Sequence, residues 1–159
     1  MIYKRCFMTL ITILWMCLIF ACSARNGNQS AAQSQSIGRL FGTIVFSDFK
    51  EWERDAQEEF AERWDYPIRK LAHFTEYAIL GILLAGTFLL WDLSVKEAIS
   101  LGVAIGIAYA ISDEIHQYFV PGRACQLMDM IIDSGGVIIG GLAEALFARR
   151  PFKQHKHNC

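Results

Sequence analysis

The sequence predicts an all-α integral membrane protein: a four-helix bundle with an amphipathic interfacial helix in its first outer loop. Three observations carry this prediction. Apolar residues make up 53% of the 159-residue chain. Four stretches are long enough to cross a bilayer core of about 30 Å, which takes roughly 20 helical residues. The 15 basic and 16 acidic residues nearly cancel, which argues for no polyanionic partner and gives no support to nucleic-acid binding. A chain of this length is read as one domain.

The first span, 6–24, reads CFMTLITILWMCLIFACSA and carries no charge. Lys4 and Arg5 precede it, and Ile19-Phe20-Ala21 precedes Cys22. That is close to a bacterial lipoprotein signal. Phe20 is bulky where a smaller residue is usual, and the apolar run is long. The reading is therefore a retained helix.

The outer loop, 25–70, opens with RNGNQSAAQSQS, polar and small, which reads as a flexible exit. From Asp48 onward Phe49, Trp52, Ala56, Phe60 and Trp64 recur at helical spacing, opposite Glu51, Arg54, Asp55, Glu58 and Glu62. Such a helix lies in the membrane interface or packs as a lid on its neighbours. Asp65-Tyr66-Pro67 is expected to end it, because the residue before proline avoids the helical region.

The remaining spans are 71–91, 97–119 and 127–148, joined by the short DLSVKE loop and by the loop around Pro121. Gly102 with Gly106, and Gly136 with Gly140, are small-xxx-small pairs that let helices approach closely. The tail 149–159, RRPFKQHKHNC, is basic and reads as a solvated anchor in which His155 and His157 are not ligands. Basic residues at both ends and an even number of spans place both termini in the cytoplasm. The five cysteines (Cys6, Cys17, Cys22, Cys125, Cys159) are scattered. They are read as buried small residues, with no disulfide framework or metal knuckle.

The chemistry sits in SDEIHQYFVPGR, residues 112–123. From Ala98 to Ile111 the helical rise gives only about 21 Å, so Asp113, Glu114 and His116 fall below the outer membrane boundary. A carboxylate there is costly unless paired or hydrated, and it faces a bundle interior or a watery notch. Asp113, His116 and Gln117 share a helix face, while Glu114 points about 100° away and need not join them. His73, Glu76 and Tyr77 form a second such group, and Asp129 with Asp133 a third. All lie at the outer ends of their helices. A compact bundle would gather His73, Glu76, Asp113, His116 and Asp129, with Arg123, into one polar pocket. No Gly-rich phosphate loop, nucleophile elbow or dinucleotide fingerprint is present.

The stretches RKLAHFTEYAILG, SDEIHQYFVPGR and MDMIIDSGGVIIGG resemble the VanZ-like family of small bacterial integral membrane proteins. IFACSARNGNQS is similar to that family's first span and polar exit. The resemblance covers residues 14–141. It implies a small multi-pass bundle in the bacterial plasma membrane. The family takes its name from a member of a glycopeptide-resistance cluster that gives low-level teicoplanin resistance. Carried onto this chain, the resemblance marks Lys70, His73, Glu76, Asp113, Glu114, His116, Gln117, Arg123 and Asp129. Position 133 is often asparagine in the pattern, whereas Asp133 here adds a charge.

Three functional readings follow. In the first, the polar pocket holds an amphiphile or lipid headgroup at the outer leaflet, with Arg123 and Lys70 as anion partners. In the second, a membrane-embedded hydrolase acts on a lipid-linked substrate. It holds Zn²⁺ or a similar ion on His73, Asp113 and His116, with Glu76 or Glu114 as general base. In the third, the charges only lock helix ends, Asp113 with Arg123 or His116 and Glu76 with Lys70 or Arg69.

Overall fold

Helix α1, Ile2–Ser23, is followed after three residues by α2, Gly27–Val45. A single 3₁₀ turn, Phe49–Glu51, leads into α3, Arg54–Leu90. Then come α4, Val95–Tyr118, and α5, Leu127–Ala148. This computed structural model describes residues 1–148, and the basic tail expected at 149–159, with Cys159, lies outside the described residues. Among the described residues there is no strand. Helices α1, α3, α4 and α5 are each long and apolar enough to cross a membrane. Their outward faces carry Phe7, Leu10, Leu14, Ile105, Ile139 and Leu142, side chains suited to a lipid solvent.

The long outer loop is instead a helical hairpin, and three expectations change. The polar stretch after Arg25 is helical because Asn26 and Gln29 cap it reciprocally, side chain to backbone in both directions. Ser34, Gly38 and Gly42 then form a small-residue stripe buried against α3 and the 3₁₀ turn, Gly38 against Ala61 and Gly42 against the ring of Phe49. The helix expected to stop before Pro67 runs through it for 37 residues, about 55 Å. An interior proline costs about 3 kcal/mol. Here the helix is held on both sides of it, by α2 before and by α5 after. The expected stripe is not one helical face: Phe49 lies in the 3₁₀ turn, Trp52 follows it, and Ala56 at the start of α3 is exposed. Phe41 and Phe46, from α2 and its C-cap, pack against Phe60 of α3, with Trp52 and Trp64 completing the cluster.

Within the bundle α3 is central and touches every other α-helix. Its closest partner is α5. Gly140 sits so tightly on α3 that a Cβ would fall onto the Ala78 carbonyl, and Gly106 of α4 admits Val137 of α5 in the same way. Ile19, Tyr77, Leu80, Leu84, Ala110 and Val137 form the buried core. Helix α1 is tied into it by polar contacts as well. The Thr12 and Thr87 hydroxyls lie 2.8 Å apart, Trp15 Nε1 donates to the Glu76 carbonyl at 3.0 Å, and Tyr109 donates to the Met16 carbonyl at 2.6 Å. Arg5 pairs with Asp92 at the opposite end of the bundle from the polar cluster. Among the described residues the cysteines are not buried: Cys6, Cys17 and Cys125 are exposed and Cys22 is half-buried. The two exposed thiols of α1, Cys6 and Cys17, lie on its apolar outer side, where a bilayer accepts them as readily as a core does.

Candidate functional site

Five pieces of chain meet at one end of the bundle: the end of α1, the start of α2, the middle of α3, the end of α4 with its following loop, and the start of α5. The loop is fixed by a turn at Pro121-Gly122, where Gly122 takes a φ of 74° that favours glycine. The Gly27 N–H donates to the Pro121 carbonyl at 3.1 Å. That contact seats the loop on the start of α2 and brings Arg123 beside Arg25.

One network runs across α1 and α4. Ser23 Oγ donates to Asp113 Oδ2 at 2.7 Å, and Gln117 Nε2 donates to the same oxygen at 3.2 Å. Gln117 Oε1 in turn accepts from Arg123 Nη1 at 3.1 Å, and Arg123 Nε donates to the Arg25 carbonyl at 3.2 Å. Arg25 is bound to the side chain of Gln33. Burial draws the Arg123 guanidinium below its ordinary range, and the like charge of Arg69 adds to the effect. It still stays charged at any working pH.

A second group joins α3, α4 and α5. Lys70 pairs with Asp129 and lies over the Tyr66 ring, 4.8 Å from its centroid. His73 Nδ1 stands 3.6 Å from Asp133 Oδ1, too long for a hydrogen bond. Glu114 Oε2 accepts from the Gln126 N–H at 2.9 Å, which anchors the residue before α5.

These carboxylates are deeply placed. Asp133 and Glu114 are 0% exposed, Asp113 2% and Asp129 5%. Several polar atoms in the cluster lack a partner: Asp113 Oδ1, Glu114 Oε1, both oxygens of Asp133, the Tyr77 hydroxyl, His73 Nδ1 and His116 Nδ1. A buried unsatisfied group costs about 1–3 kcal/mol, and more if charged.

Two cavities adjoin the cluster and share Arg69, His73 and Arg123 on their walls. The smaller, about 80 Å³, is lined by Arg25, Arg69, Arg123, Ser30, Ser34 and Glu76, with Cys22 at its edge. The larger, about 230 Å³, is lined by Lys70, Asp129, Tyr66, Gln117 and Gln126 with the shared wall.

Of the residues singled out in the sequence, Asp113, Gln117 and Arg123 share one network, and Lys70 pairs with Asp129. Asp133 faces His73, and Glu76 lines the smaller cavity. Glu114, which need not share the face of Asp113, turns toward α5 and lies within electrostatic reach of Asp129, Asp133 and His73. His116 also meets α1: its ring stacks on Phe20 with centroids 4.3 Å apart, one turn before the Ser23 that bonds Asp113. The helix-end locks expected for Asp113 and Glu76 have other members: Asp113 bonds Ser23 and Gln117, Arg69 pairs with Asp65 at 2.6 Å, and Lys70 pairs with Asp129. Sequence reasoning placed Arg69 with Glu76 rather than Asp65, and it missed Ser23, Arg25 and Ser34. Their signal was weak, since each is an ordinary polar residue flanking a span. Among the described residues, no three His, Cys, Asp or Glu side chains converge in a way that would hold a metal ion.

A family model described as VanZ/LLP1 matches residues 8–148. No curated protein and no solved structure matches the chain.

Proposed function

The chain belongs to the VanZ/LLP1 family, and from that premise we propose that its polar cleft binds the headgroup of an amphiphile at the outer face of the bacterial plasma membrane. Both termini then lie in the cytoplasm, with α1 retained as the first span. The basic start, Lys4 and Arg5, and the even number of spans support this orientation. The contacts of Thr12, Trp15 and Ile19 with the rest of the bundle support the retention of α1.

One observation carries the reading. The buried carboxylates and both cavities gather at a single end of a bundle whose flanks are apolar. Intramembrane ionisable residues mark sites more often than they mark packing. A cleft of this kind, open beside lipid, suits a molecule with a polar head and an apolar tail. Teicoplanin is such a molecule, and tolerance to it is the phenotype we assign.

The test is susceptibility. In a teicoplanin-sensitive Gram-positive host, the wild-type chain raises the inhibitory concentration, and Asp113→Ala and Arg123→Ala do not, at equal membrane abundance. Unchanged susceptibility with wild-type protein present in the membrane would count against the reading.

A further inference from the structure

Within the proposed headgroup site, we infer that the smaller cavity is an oxyanion subsite that takes a phosphoryl group on Arg25, Arg69 and Arg123, with the hydroxyl of Ser30 as a further donor. This rests on the reading of the cleft as a ligand site and names the chemistry of what enters it.

Positive charge is in excess around this cavity, with Arg69 and Arg123 half-buried and Arg25 exposed at its rim. Three guanidiniums line the cavity against a single carboxylate, Glu76. Among the described residues neither Arg25 nor Arg123 is ion-paired. Arg25 is held by the neutral side chain of Gln33, and Arg123 by Gln117 and a backbone carbonyl. Arg69 is paired with Asp65, which also accepts from Ser34, yet Arg69 still repels Arg123. Like charges are held together by the fold: the Pro121–Gly27 contact fixes Arg123, and the α2–α3 hairpin fixes Arg69 opposite Arg25. An incoming oxyanion relieves that repulsion and can receive charge-assisted hydrogen bonds from planar donors. The volume of about 80 Å³ has room for one compact group. Glu76 faces it as an acceptor, so a hydroxyl or ammonium next to the phosphoryl group complements the lining.

A phosphate of this kind comes either from a lipid headgroup or from free phosphate in solution. Both are tested on the full chain purified in detergent. Binding of inorganic phosphate is measured by calorimetry. Retention of phosphatidic acid, against an uncharged diacylglycerol, is measured by native mass spectrometry. Arg123→Gln and Arg25→Gln are compared with Arg63→Gln, which removes the same charge from an exposed position on α3. The inference predicts saturable binding of at least one phosphate source, weakened about 10-fold or more by each cavity variant and unchanged by Arg63→Gln. Binding of phosphatidic acid alone identifies the headgroup as the source. Binding of phosphate alone keeps the subsite but removes the amphiphile reading. Wild-type protein that binds neither, or that retains diacylglycerol equally well, overturns the inference, and the latter leaves an amphiphile site standing without it. Because the wild-type measurements decide this last point, a variant that fails to fold does not.

Discussion

The hydroxyl of Ser23, the last residue of α1, donates to Oδ2 of Asp113 on α4 at 2.7 Å, with both residues buried. This bond closes the first helix against the cluster and supplies half the donors that Asp113 has. The other donor is Gln117, one turn along the same helix.

Ser23→Ala removes that donor and leaves Asp113 with one partner for two oxygens. We expect a loss of about 1–3 kcal/mol, read as a lowered thermal transition in detergent. Ser23→Thr keeps a hydroxyl and should recover most of the loss.

Close approach of α3 and α5 gives a paired prediction. At Gly140 a Cβ would meet the Ala78 backbone, whereas at Gly135 nothing lies within 4 Å. Gly140→Ala should destabilise by about 1–3 kcal/mol or more. Gly135→Ala should be neutral or stabilising by up to about 1 kcal/mol, since alanine favours the helix. Equal transition temperatures for the two variants would contradict the described packing.

The Lys70–Asp129 pair is nearly closed off, with side-chain exposures of 14% and 7%. Asp129→Asn strands the ammonium and should cost about 3–5 kcal/mol, whereas Lys70→Met with Asp129→Leu should recover much of that. A double-mutant cycle on thermal stability checks the sign of the coupling.

How much of this was readable from the chain follows from where each signal resides. Length and apolar run determine a span locally, so spans 71–91, 97–119 and 127–148 end within one residue of α3, α4 and α5. The glycine pairs at 102/106 and 136/140 were legible because spacing alone puts them on one face. The helicity of α2 was not, because its polar sequence is ordered by a cap at Asn26 and by packing on a partner remote in sequence. The continuity of α3 through Pro67 was hidden for the same reason: local preference says stop, and tertiary contacts on either side override it. In the site, the contact of Asp113 with Gln117 is local and readable from helical spacing, whereas the stacking of His116 on Phe20 depends on a helix remote in sequence. Arg25 escaped notice because only the loop turn brings it to Arg123.

The central claim is that the cleft beside α1 opens outward and holds an amphiphile. Cys22 lines the smaller cavity, so it can report on both halves of that claim. With Cys6, Cys17, Cys125 and Cys159 replaced by serine, intact cells are treated with a membrane-impermeant maleimide, with and without teicoplanin. The account predicts labelling of Cys22 from outside and slower labelling when the amphiphile is present. Labelling only after the membrane is permeabilised, or at a rate the amphiphile does not change, would contradict it.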